Sequence, residues 1–330
     1  MRASTLDGSC VSLRGRDLLS IDALTREELV SILATAEKIK RTPSAAAGFL
    51  AGRSVVCLFE KPSLRTRVSF QVGITRLGGH AMDFDHSKEQ LGVRESIRDA
   101  ALNLERFFAA IVARVHDHGT LEELARHACV PVINALSDRF HPCQALADVL
   151  TLRERLGEVR GRVLTYLGDG NNVCHSLVQA GCLLGMHVRV VTPRGCEPDA
   201  GVVSWSESAA RAAGGSVRVS QDAGDVRGSD AVYTDSWVSM GQEARAPLEA
   251  FRPLQVNAGL MRRASEGRAR GSAPVVFLHC LPATRGNEVT DEVIDSTASA
   301  VYDQAENRMH AQNALLLHLL APVEPTTMGL

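Results

Sequence analysis

From about Arg53 onward the chain alternates short runs of β-branched and apolar residues with longer amphipathic stretches. A short apolar run without polar alternation fits a strand covered on both faces, and the amphipathic stretches supply the helices that cover it. The pattern restricts the fold class to α/β, with doubly wound parallel sheets. Strands are expected over residues 54–59, 80–84, 109–115 and 130–136, and in the second half over 163–167, 188–191, 231–234 and 275–278. A helix over 142–156 meets a natural stop at Gly157, and a fresh strand begins near Arg162, so the break between two domains is put there. A last amphipathic helix runs from Glu306 to about Leu320, with Pro322 and Pro325 after it.

Two domains also suit the size, since 330 residues, 45% of them hydrophobic, exceed what one core usually organises. Charge is balanced, with 36 Lys and Arg against 38 Asp and Glu, which gives no basic excess for gripping nucleic acid. No apolar stretch is long enough to span a membrane and the first residues lack a signal-peptide pattern, so a soluble, cytoplasmic protein is expected. The eight cysteines include no Cys-x-x-Cys pair and sit mostly in apolar runs, as reduced buried thiols do.

Five segments carry chemistry, each beside an expected strand. In Phe59-Glu60-Lys61-Pro62-Ser63-Leu64-Arg65-Thr66-Arg67 a strand gives way to a helix start near Ser63. Open N–H groups, hydroxyls and guanidinium forks there suit phosphate, although an ordinary helix cap with exposed arginines has the same spacing. His141-Pro142-Cys143-Gln144 repeats the junction, with Pro at the first helical position and two directional groups for a small carbonyl. Leu167-Gly168-Asp169-Gly170-Asn171-Asn172 resembles a nucleotide turn but lacks the third glycine, and no Walker-type loop occurs; a tight turn with Asn capping the next helix fits equally. A ribose-binding acid about 20 residues on is also missing, because the next strand ends at Thr192-Pro193-Arg194.

The remaining two are Asp235-Ser236-Trp237-Val238-Ser239-Met240-Gly241 and His279-Cys280-Leu281-Pro282. Adjacent strand residues face opposite ways, so His279 and Cys280 are not expected to form a thiol–imidazole couple. Asp235 alone reads as a turn or cap residue. His116-Asp117-His118 reads as a solvated loop in preference to a metal site.

Taken together, these segments resemble the aspartate/ornithine carbamoyltransferase family, colinearly from Leu13-Arg14-Gly15-Arg16-Asp17-Leu18-Leu19 to Arg308. The family's Ser-Thr-Arg-Thr-Arg stands here as Ser63-Leu64-Arg65-Thr66-Arg67, with Leu64 in place of a hydroxyl residue. The Asp-x-x-x-Ser-Met-Gly and His-Cys-Leu-Pro pair marks the ornithine branch and is unchanged. The resemblance implies two doubly wound domains with the active site in the cleft between them. Residues 1–150, completed by a C-terminal helix over 306–321, would bind carbamoyl phosphate, and 151–305 would bind ornithine.

By resemblance, carbamoyl phosphate contacts are Ser63, Leu64, Arg65, Thr66, Arg67, Gln90, Arg114, His141, Gln144, Cys280, Leu281 and Arg308, and ornithine contacts are Asn172, Asp235, Ser239 and Met240. Arg114, His141, Cys280 and Arg308 would act at the reacting centre, with Thr66 and the backbone near Leu281 helping to hold the carbonyl oxygen. The implied enzyme is a one-carbon-group transferase that moves the carbamoyl group to the δ-amine of L-ornithine, giving L-citrulline and phosphate in an arginine-biosynthesis or urea-cycle type step. It needs no cofactor and no metal. Family members are trimers or multiples of trimers whose sites are completed by a neighbour's loop. That loop usually reads Gln-Leu-Gly-Arg-Gly-Glu-Ser and is Gln90-Leu91-Gly92-Val93-Arg94-Glu95-Ser96 here, while Thr284 replaces a usual His.

Overall fold

The computed structural model describes residues 13–86, 90–238, 245–269 and 271–321. Its contacts divide the chain into two compact units: Met1–Leu19, Leu24–Ile133 and Met309–Leu330 form the first, Ser20–Ala23 and Asn134–Arg308 the second.

The first unit carries β1 (Ser54–Phe59), β2 (His80–Asp85), β3 (Ala110–Arg114) and the start of β4 (Val132–Leu136), in the order β2-β1-β3-β4. β1 pairs in parallel with β2 and with β3. Its helices are α1 (Arg26–Arg41), α2 (Leu64–Arg76), α3 (Ile97–Leu104) and α4 (His118–His127). Each starts where a side chain accepts a first-turn N–H: Thr25, Ser63, Ser96 and Asp117. Such caps contribute about 1 kcal/mol apiece. Val56, Leu58, Ile111, Ala113 and Val132 from the strands pack with Ala101 of α3 and Leu121 and Leu124 of α4. Burying each of the Val, Leu and Ile side chains among them stabilises by about 1.5–3 kcal/mol.

The second unit opens with α5 (Pro142–Leu156) and builds a five-stranded sheet in the order β7-β6-β5-β8-β9, with every pairing parallel. In chain order its elements are β5 (Val163–Leu167), α6 (Asn172–Leu183), β6 (His187–Val191), α7 (Ala200–Ala213), β7 (Ser216–Ser220), β8 (Ala231–Thr234), α8 (Leu248–Phe251), α9 (Ala258–Ser265), β9 (Val276–His279) and α10 (Asp291–Ile294). α11 (Val301–Leu319) begins here and enters the first unit at Met309. Leu167, Val191, Val232 and Phe277 form the core with Leu260, Val293 and Ile294.

The α/β reading holds, with two differences. β7 was not anticipated, because Ser216, Arg218 and Ser220 interrupt its apolar positions and its place at the sheet edge leaves them partly exposed. α11 starts at Val301, five residues before the expected Glu306. Among the described residues no helix is long and apolar enough to cross a membrane.

In both sheets the chain starts in the middle: β1 lies between β2 and β3, and β5 between β6 and β8. Winding then runs outward in both directions, which leaves a crevice outside the carboxyl ends of the central strands, where open α/β sheets collect their ligands. At those points Phe59 is opposite Arg114, and Leu167 is opposite Thr234.

Candidate active site

In the first unit the crevice is built around the exit of β1. Ser63 caps α2: its Oγ accepts the Thr66 N–H at 3.2 Å and its hydroxyl donates to Thr66 Oγ1 at 2.9 Å. The cap orients a first turn whose open N–H groups lie at the positive end of the helix dipole, an arrangement that favours anions. Thr66 is buried, Arg65 follows Leu64 in the first turn, and Leu64 is 75% exposed. Arg114, buried, closes the neighbouring strand.

A carboxylate that the sequence did not single out ties these parts together. Buried Glu60 accepts the N–H of Leu91 and the N–H of His116, both at 2.8 Å, and donates its own N–H to the Arg114 carbonyl at 2.9 Å. The Gln90 loop, the exit of β3 and the exit of β1 are thereby anchored on one side chain. Gln90 lines a cavity of about 330 Å³ with His86, Leu91, Arg94 and Glu95. An acid just past an apolar strand was the available signal for Glu60.

Arg67, expected beside Arg65 on phosphate, is held elsewhere. Its guanidinium pairs with Asp83 at 3.0 Å and Asp85 at 3.4 Å on β2 and stacks 4.7 Å from the Phe59 ring centroid. His116-Asp117-His118 is not a solvated loop: Asp117 caps α4 by accepting the Gly119 N–H at 2.9 Å, and His118 is buried.

In the second unit, His141 is the N-cap residue of α5 and donates its backbone N–H to Ser176 Oγ at 2.8 Å. Gln144 lies in the first turn, and its Nε2 donates to Asp148 Oδ1 at 2.7 Å. Gln304 of α11 donates to the same oxygen at 2.6 Å and accepts the His279 N–H at 3.0 Å. With the Gln144 amide nitrogen facing Asp148, its Oε1 faces Arg308, whose Nη1 donates to it at 3.2 Å. Burial pushes the Asp148 carboxyl up to about 7, against hydrogen bonds from Gln144, Gln304 and Tyr233 and the charge of Arg308.

The glycine turn after β5 has a structural cause. A Cβ on Gly170 would lie 2.3 Å from Pro198 N and 2.6 Å from Cys196 O, so only glycine lets that backbone pass. Asn171 caps α6, accepting the N–H groups of Val173 at 3.0 Å and Cys174 at 3.1 Å. Asn172 donates to the Ser137 carbonyl at 2.5 Å. Arg245, also not foreseen, clamps the turn through Asp169 at 3.0 Å and the carbonyls of Gly170, Gly195 and Glu197.

Asp235, just past β8, is buried and well supplied with donors. Its Oδ1 accepts the Ser236 N–H at 2.7 Å and the Cys280 thiol at 2.9 Å, and its Oδ2 accepts Asn171 Nδ2 at 2.9 Å. Two of these partners lie 64 and 45 positions away in the chain, beyond the reach of a local turn or cap. Ser239 and Met240 lie outside the described residues.

His279 and Cys280 take different partners, the thiol bonding Asp235 and the imidazole Leu281 and Glu288. His279 Nδ1 accepts the Leu281 N–H at 2.8 Å, so its proton sits on Nε2, which faces Glu288 Oε1 at 3.2 Å. Asp235, His279 and Cys280 bring ligand-type atoms within 4.8 Å of one another. Both imidazole nitrogens are committed, however, so the set lacks the nitrogen lone pair a metal ion would need. Leu281 takes the left-handed backbone region at φ 57°, which is sparsely populated for a leucine. Its N–H is already given to His279, and Pro282 has none. Neither Leu281 nor Pro282 therefore has an N–H to give a carbonyl oxygen, whereas the sequence leads us to expect help from the backbone at this point.

Residues 16–154 match the family model described as aspartate/ornithine carbamoyltransferase, carbamoyl-P binding domain, and residues 160–319 match the Asp/Orn binding domain of the same description. Over 319 residues the chain is 49% identical to ornithine carbamoyltransferase of Pyrococcus horikoshii, covering 95% of this chain and 98% of that one. The solved ornithine carbamoyltransferase of Pyrococcus furiosus superposes with a TM-score of 0.88 at 48% identity, over 95% of this chain and 100% of the other. The Thermus thermophilus enzyme of that name gives 0.80 at 44% identity, over 92% and 98%. The switch-point crevices and these matches along nearly the whole length lead to one assignment: the chain belongs to the aspartate/ornithine carbamoyltransferase family.

Proposed function

We propose that the chain transfers the carbamoyl group of carbamoyl phosphate to the δ-amine of L-ornithine, giving L-citrulline and phosphate. The observation that carries the acceptor choice is the buried Asp235 carboxylate, fixed by three donors. An α-amino cation pairs with it, whereas the side-chain carboxylate of aspartate would meet like charge. The relatives named above support the same choice.

In this reading the first turn of α2, with Ser63, Leu64, Arg65 and Thr66, holds the phosphate, and Gln90 and Arg114 complete the anion contacts. Arg67 acts as a brace to β2, in keeping with its pairing to Asp83 and Asp85. Thr66, Arg114 and His141 donate to the carbamoyl oxygen as it gains charge, while Gln144 Oε1 and the Leu281 carbonyl accept from the carbamoyl NH₂. Asn172, Asp235, Ser239 and Met240 hold ornithine, and Cys280 and Arg308 border the reacting atoms. The neutral δ-amine attacks the carbamoyl carbon, a C–N bond forms, the C–O bond to phosphate breaks, and the amine proton leaves with the phosphate. Because a free amine has a reference pKa of about 10.4, the rate with subsaturating ornithine rises with pH.

The protein works in the cytoplasm as a homotrimer, or a multiple of trimers, with sites shared between subunits. Leu64, Val68 and Val72 form one exposed apolar stripe on α2, and Met82 and Phe84 add exposed apolar groups on edge strand β2, which supports assembly with further copies. The deciding experiment is a carbamoylation assay with ornithine, aspartate, putrescine and N-acetylornithine side by side. Ornithine should be the preferred acceptor; preference for any other overturns the assignment.

A further inference from the structure

Resting on the assignment of Asp235 to ornithine, we infer that Asn171 is a positioning residue for the acceptor, fixing the start of α6 and the direction of the Asp235 carboxylate with one side chain. Its Oδ1 takes the N–H groups of Val173 and Cys174, so the amide cannot flip without setting NH₂ against two donors. Its Nδ2 is thereby directed at Asp235 Oδ2, 2.9 Å away. A carboxylate has about four lone-pair directions. Asn171, Ser236 and Cys280 occupy three of them, leaving one for an incoming ammonium. The rotamer of Asp235, and with it the place where the α-amino group docks, depends on the helix cap.

The two roles separate by substitution, because Asp and Ser cap helices about as well as Asn. Asn171→Asp keeps the acceptor for Val173 and Cys174 but sets a second carboxylate against Asp235. Asn171→Ser keeps a capping oxygen on a side chain too short to reach Asp235. Losing a hydrogen bond to a charged group corresponds to about tenfold or more, so KM for ornithine should rise at least about tenfold in both variants, while the Kd of carbamoyl phosphate stays within about twofold.

Asn171→Asp carries a further signature. Two carboxylates in contact share a proton, and the protonated form restores a donor toward Asp235. Its ornithine deficit relative to wild type should therefore shrink as pH falls from 8 to 6. Asp169 with its partner Arg245, Cys174, Cys280, Tyr166 and His279 also face this region, and they are common to both proteins and cancel in the ratio. Ornithine KM within about twofold of wild type in both variants, or equal losses for both substrates, or a deficit independent of pH, would overturn the inference. Failure of the wild-type chain to form citrulline from ornithine would instead overturn the proposed function, and the two results are distinguishable.

Discussion

At the scale of single residues, the unusual group is Asp148, a fully buried carboxyl that holds Gln144 and Gln304 together. Its folded pKa is raised to about 7 from an ordinary 3.8, mainly by burial. The folded state thus holds the proton more tightly than the unfolded chain. The resulting stability is fully present below about pH 4 and is lost as pH rises through about 7, a span on the order of 4 kcal/mol. The substitution Asp148→Asn keeps an acceptor for both glutamines and leaves no proton to lose. The thermal midpoint of wild type, compared with Asp148→Asn, should therefore decline between pH 5 and pH 8. A gap between the two proteins that does not change with pH sinks this account. Five of the seven described cysteines are buried, and burial pushes the thiols of Cys57, Cys143 and Cys182 up to about 12, so these three titrate far from neutrality.

At the scale of elements, the exits of β1 and β3 and the Gln90 loop converge on Glu60. Glu60→Gln leaves one oxygen acceptor and turns an NH₂ toward the second backbone donor. The unmade bond costs about 1–3 kcal/mol, and carbamoyl phosphate affinity should fall with it, because Arg114 and the loop lose their common anchor. Calorimetric titration and melting curves test this; wild-type values in both would remove Glu60 from the organisation of the site. The contrast with what the sequence made legible is physical. β1, β5 and β8 announce themselves as apolar runs, and Ser63 and Asn171 as caps, because those signals lie within a few residues. The Glu60 bonds span 31 and 56 positions and the Asp148–Gln304 bond spans 156, so only folding brings the partners together. The ion pairs of Arg67 are hidden in the sequence for the same reason: Asp83 and Asp85 sit on another strand.

At the scale of the whole molecule, shared sites can be tested by mixing two dead proteins. If Gln90 serves a neighbour's Arg65, a random 1:1 mixture of Arg65→Ala and Gln90→Ala chains restores roughly a quarter of the sites. Mixtures that reassemble and remain inactive would refute sharing. The first unit is discontinuous: the Gly15 N–H bonds the Leu319 carbonyl at 3.1 Å, Arg53 bonds the Leu320 carbonyl at 2.9 Å, and buried Leu315, Leu316 and Leu319 complete its core. On the ribosome, residues 24–133 must therefore wait for residues from 309 onward, while residues 134–308 can mature in between. A chain stopped after Arg308 should keep a protease-resistant core from the second unit and lose protection across β1 to β3. Joining the ends and opening the chain elsewhere should be tolerated, since synthesis order, and not the native contact map, is what such a permutation changes.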